Sequence, residues 1–149
     1  MGTRPHGEHL LKNAAGFLAD ARHLASGDRH SHEILLHHIS CAIELSLKSF
    51  LQSCGWSDER CRDEIRHDLT KALEAARWLG FHPSHPDLPS LVAILSPYYC
   101  RHRLRDLAVH ESALLSPQQA LKATEELLSD VRAASPKGSR LGEPSSPSP

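Results

Sequence analysis

Residues 31–54 read SHEILLHHISCAIELSLKSFLQSC, and their apolar positions settle the class of fold. Leu36, Ile39, Ile43, Leu47, Phe50, Leu51 and Cys54 recur at three- and four-residue intervals, the period of one helix face. Leu35, Ala42 and Leu45 widen that stripe beyond what one neighbour can cover, so this segment is expected to be the central helix of a bundle, stopped by Gly55. Glu44 interrupts the stripe four residues before Lys48, the favourable orientation for an ion pair along a helix. Two readings follow for Glu44: an exposed pair with Lys48, or a carboxylate facing a site between helices, where it orients a base or holds an arginine.

The flanking segments repeat the same period. Leu10, Leu11, Ala14, Phe17, Leu18, Ala21 and Leu24 predict a helix from His6 to Ala25, ended by Gly27 and Asp28. Ser57 is placed to cap a short helical piece from Asp58 to Arg66. Asp68 is placed to cap a further helix with apolar positions Leu69, Ala72, Leu73, Ala76 and Leu79, closed by Gly80. His82 to Pro89 holds three prolines and reads as a loop. Helix resumes at Leu88 or Ser90 and reaches about Ser96; Pro97 kinks or restarts it, and it continues to about Leu107. Ser116-Pro117-Gln118-Gln119 is a helix start with Ser at N-cap, Pro at N1 and Gln at N3, followed by the stripe Ala120, Leu121, Thr124, Leu127, Leu128 and Val131. Residues 135–149 are Pro, Ser, Gly and charge with one leucine, and cannot bury enough surface to offset their ordering entropy. No alternating apolar run competes. The expectation is one all-α domain over residues 6–134, an antiparallel bundle of four or five helices, with a disordered tail at 135–149.

Composition narrows the function classes. The chain has 149 residues and a formal net charge of −1, so no global basic field marks a nucleic-acid binder. Its uncharged apolar runs are shorter than the ~18–20 residues of a membrane span, and Met1–Lys12 lacks the apolar core of a signal peptide. A cytoplasmic protein without membrane association is the resulting expectation. The four cysteines form no CxxC pair and read as free thiols, with Cys41 and Cys54 as small apolar fillers. Twelve histidines are many, but the spacings of His37, His38, Cys54, Cys61 and His67 match no standard zinc pattern, and no metal or cofactor is expected. No Gly-rich phosphate loop, GxSxG elbow or HExxH occurs.

The densest basic cluster lies in residues 101–112, RHRLRDLAVHES. Arg101, Arg103 and Arg105 either bind an anion such as phosphate or complement the dipole of a helix C-terminus. Arg105 and His110 together carry a planar phosphate ligand and a group that moves protons near neutral pH. That is sufficient equipment for metal-free attack of a ribose 2′-hydroxyl on its own phosphodiester. Arg4–His9 and Arg62–His67 share the spacing, and the latter pair reads as a structural turn before a helix.

Three stretches resemble the HEPN domain, a family of helical domains named for nucleotide binding in higher eukaryotes and prokaryotes. CAIELSLKSFL (41–51) is similar to the family's AIE-x-x-LK-x-x-L segment of the central helix. His67-Asp68-Leu69 is similar to an HDL segment of one prokaryotic branch, and RDLAVH (105–110) resembles the R-x(4–6)-H motif. The resemblance spans roughly Leu10 to Ala134. It implies a helical bundle that often dimerises, and a metal-independent endoribonuclease, the toxin of a toxin–antitoxin or phage-defence system. Arg105 would hold the scissile phosphate and His110 would act as general base or acid. Asp106 and Glu44 would support them, and Arg101 and Arg103 would bind RNA. Implied partners are RNA or a nucleotide, a second copy in a homodimer, and a nucleotidyltransferase-type antitoxin. Ser112 stands where one toxin branch has a modifiable Tyr, which sets this chain apart from that branch. The alternative implied by the same resemblance is a non-catalytic module that binds nucleotide, RNA or protein.

Overall fold

A computed structural model describes residues 7–27, 32–110 and 116–134. The described residues are helical with no strand, as expected for an all-α bundle. The expected tail at 135–149 lies outside them.

Helix α1 spans Glu8–Ser26 and packs along α2, His32–Ser53. Its start is set by a close approach: Gly7 has φ 86°, and a Cβ there would fall 2.8 Å from the Ser49 carbonyl oxygen. Ser49 Oγ donates to the Gly7 carbonyl at 2.9 Å, tying α1 to the α2 backbone. Only glycine reaches that contact without strain. Helix α2 is central as expected. It packs against α1, α4, α5, α6 and α7, Gln52 on it donates to Asp58 of the next short helix at 3.2 Å, and even Ser40, Ser46 and Ser49 on it are buried. With 22 residues and mean hydropathy 1.3, α2 is long and apolar enough by length and composition to cross a membrane, yet its apolar faces are already covered by the bundle. Cys54 departs from expectation: it lies past the helix end and is exposed, whereas Cys41 is buried.

After α2 the chain turns through α3, Asp58–Arg60, capped by Ser57 Oγ accepting from the Arg60 amide at 2.9 Å. Helix was expected to run on to Arg66. Instead Cys61–Ile65 widens into a π-helical turn that ends on the Arg66 amide bonding Cys61 O at 3.1 Å. The turn buries Cys61 and Ile65 and leaves Arg66 at φ 55°. Helix α4, Leu69–Trp78, begins where Asp68 accepts from the Lys71 amide at 3.0 Å, as its sequence position predicts. Leu79 was expected in the buried stripe; it sits past the helix end, exposed, beside Gly80 at φ 97°.

Helix α5 spans Leu88–Tyr99 and α6 spans Leu104–His110. The sequence reading ran these together and placed any break at Pro97. Pro97 lies inside α5, where it removes one amide donor from the helix ladder without ending the helix. The break comes three residues later. The Arg103 amide bonds Tyr98 O at 2.7 Å and the His102 amide bonds Tyr99 O at 3.1 Å, the double closure of a Schellman motif. Helix α7, Pro117–Ala134, starts on Ser116 Oγ, which accepts from the Gln119 amide at 3.4 Å, and lays its expected stripe against α2 and α1.

Candidate functional site

Glu44 is the centre of the site, and the exposed-pair reading of it is wrong: its side chain is 9% exposed and that of Lys48 only 12%. An apolar helix carries a carboxylate inward only if donors meet it. Three do. Lys48 Nζ bonds Oε2 at 2.7 Å, while the Tyr99 hydroxyl at 2.5 Å and His67 Nδ1 at 3.1 Å share Oε1. Burial pushes the carboxyl up, but the bonds from Lys48, Tyr99 and His67 outweigh it and hold it below the ordinary glutamate range. Burial and then the Glu44 charge drive the Tyr99 hydroxyl far above its ordinary value, so it stays a donor. Cys41 Sγ lies 3.5 Å from the Tyr99 oxygen, and burial keeps it a thiol.

Because an ionised carboxylate only accepts, the proton between Glu44 and His67 sits on Nδ1. That leaves Nε2 as the ring's working nitrogen, on a side chain that is 49% exposed. Lys48 also donates to the Arg66 carbonyl at 2.6 Å, so the same lysine that neutralises Glu44 grips the turn presenting His67. The ring of His67 packs edge-on against Tyr99, centroids 5.6 Å apart, and against His102 at 5.8 Å.

His102 occupies the left-handed position of the Schellman turn, at φ 57°. Glycine is the usual residue there, and any other costs roughly 1–2 kcal/mol. Among the described residues the non-glycine positions with positive φ are Arg66 and His102. One precedes His67 and the other faces it. Backbone strain is thus concentrated where two imidazoles meet, a pattern found at sites held for function.

Beside this pair is an open cleft of about 220 Å³, lined by Glu33, Ile34, His37, Tyr99, His102 and Leu104. Burial, reinforced by His38, lowers the pKa of His37, which leaves that ring neutral at pH 7. The permanent positive charge beside the cleft comes from arginine. Arg101, Arg103 and Arg105 are all exposed on the segment that carries His102 and Leu104. Arg103 is held by Asp106 through Nε at 2.7 Å and Nη2 at 2.6 Å. Asp106 is therefore bonded to Arg103. Arg105 lies on the second residue of α6 and His110 on its last. Five positions along a helix turn the backbone through about 140° relative to the first, so the two Cα positions lie on different sides of α6.

The structure thus gathers Glu44 with His67, Lys48 and Tyr99. His67 was read as a turn residue; Arg62, its partner in spacing, pairs instead with Asp58 at 3.2 Å in solvent. The signal for the cluster was a charged pair inside the most apolar stripe of the chain. His102 stood out in the sequence only as a member of the basic cluster with Arg101, Arg103 and Arg105; the backbone conformation on which its place here rests left no signal. Among the described residues no group of three His, Cys, Asp or Glu is placed to hold a metal ion. Comparison with models of known families, with curated proteins and with solved structures finds no match.

Proposed function

We propose that this chain is a metal-independent ribonuclease of the HEPN-like kind, binding the phosphate backbone through the 101–105 arginines and cleaving it with histidine as the proton carrier. The observation that carries this reading is the placement of three exposed arginines on the segment that rims an imidazole-lined cleft. Arginine supplies permanent, planar recognition of phosphate, and imidazole exchanges protons near neutral pH. A cleft of about 220 Å³ falls below the ~300–1,000 Å³ of pockets that enclose a whole small molecule, and suits one phosphodiester segment of a longer strand. Arg105 is the phosphate ligand of this reading, and His110 is the proton carrier that the family resemblance implies. A homodimer would bring a second set of arginines to the same strand.

The test is cleavage of single-stranded RNA in EDTA. Wild type is expected to leave 2′,3′-cyclic phosphate ends and to spare DNA, which lacks the attacking hydroxyl. Arg105→Ala should lose ~10²–10³-fold in rate, as when an oxyanion donor is removed, and should bind RNA more weakly. RNA binding without cleavage by wild type would overturn the enzyme reading and leave the binding module.

A further inference from the structure

Cleaving a phosphodiester by its own 2′-hydroxyl takes two proton transfers, one off the nucleophile and one onto the leaving oxygen. His110 gives one imidazole per chain. We propose that His67 and His102 are the acid–base pair, supplied within a single protomer, with Glu44 and Lys48 as positioning residues. This rests on the ribonuclease reading above and moves proton transfer away from His110.

The geometry supports the pair on three counts. Glu44 fixes the His67 ring through Nδ1, leaving Nε2 outward, and stabilises the imidazolium that forms when Nε2 takes a proton. The two rings pack edge to face, centroids 5.8 Å apart, and both residues are exposed, so one phosphodiester laid across the pair would meet both. His102 holds its place at the cost of a left-handed backbone that glycine would adopt freely.

In the proposed step His67 Nε2 removes the proton from the ribose 2′-hydroxyl. The 2′-oxygen forms a bond to phosphorus, and the bond from phosphorus to the 5′-oxygen breaks with its electron pair going to that oxygen. His102, entering as imidazolium, protonates the departing 5′-oxygen. The products are a 2′,3′-cyclic phosphate and a 5′-hydroxyl. One proton has passed from His102 to the leaving group and one from the nucleophile to His67, and exchange with water restores both rings.

The experiment compares full-length wild type, His67→Ala, His102→Ala, His110→Ala and Arg62→Ala on two RNA dinucleotide linkages, natural and with sulfur at the 5′ bridging position. A thiolate leaves without protonation, so the sulfur linkage needs a base but no acid. His67→Ala should lose ~10²–10⁴-fold on both linkages. His102→Ala should lose as much on the natural linkage and return to near wild type on the sulfur one. Added imidazole should restore part of the His67→Ala rate, a rescue that a folding defect would not show. Arg62→Ala should match wild type. If His67→Ala and His102→Ala stay active on the natural linkage while His110→Ala is dead, the pair is overturned and the ribonuclease reading stands. A loss in His67→Ala that imidazole does not relieve, with His102→Ala equally slow on both linkages, also overturns it. If wild type cleaves neither linkage, the ribonuclease reading itself fails.

Discussion

Glu44 and Arg105 sit on helices that touch, α2 and α6, yet in opposite surroundings. Glu44 is buried, accepts from three side chains and links α2 to the turn before α4 and to the end of α5. Arg105 is exposed on a seven-residue helix. In a low-dielectric interior a charge is expensive unless paired, so each partner of Glu44 is needed for the fold as well as for the site. At the surface a guanidinium is solvated whether or not a ligand is present, so Arg105 is free to serve a ligand alone. One region couples stability to chemistry; the other separates them.

That contrast orders the expected effects of substitution. Glu44→Ala strands Lys48 with little water around it and should cost about 3–5 kcal/mol in urea unfolding. A loss no larger than that of a surface substitution would remove the claim that the cluster is buried and satisfied. Acid should act in the same direction. The Glu44 carboxyl titrates lower in the folded state than in the unfolded chain, so its contribution is full above the ordinary glutamate value of about 4.3 and is lost as pH falls through the folded value. Stability of Glu44→Gln should therefore fall less steeply below about pH 4 than that of wild type; parallel curves would place the acid-sensitive group elsewhere.

Two backbone positions sharpen the comparison. Gly7→Ala puts a Cβ against the α2 backbone at φ 86° and should cost roughly 1–3 kcal/mol, read as a lower thermal midpoint. His102→Gly should do the reverse and gain about 1 kcal/mol, because glycine relieves a left-handed strain of the same kind. If His102→Gly destabilises instead, its ring contributes more to packing than its conformation costs. Smallest of all, Arg105→Ala should change stability by less than about 0.5 kcal/mol while still weakening RNA binding.

Much of the fold was legible in the sequence because periodicity and capping are local. The stripe from Leu36 to Leu51, the caps at Ser57, Asp68 and Ser116, and the helix over 117–134 needed only neighbours within one or two turns. The break after α5 was misplaced because Pro97 is a visible signal and a left-handed His102 is not. The candidate site was legible in part. Glu44 and the arginines stood out by type and spacing, but Glu44 meets His67 and Tyr99 across 23 and 55 positions of chain. Contacts at that separation are set by how α2, α4 and α5 pack, which no local pattern encodes.

The most direct measurement is the rate of RNA cleavage by His102→Gly in EDTA, at a temperature where it and wild type are both folded. The substitution leaves the turn its preferred residue and removes only the imidazole that faces His67. A rate at least ~100-fold below wild type, in a protein no less stable, is the expected result. A rate equal to that of wild type would contradict the assignment of proton transfer to the His67–His102 pair.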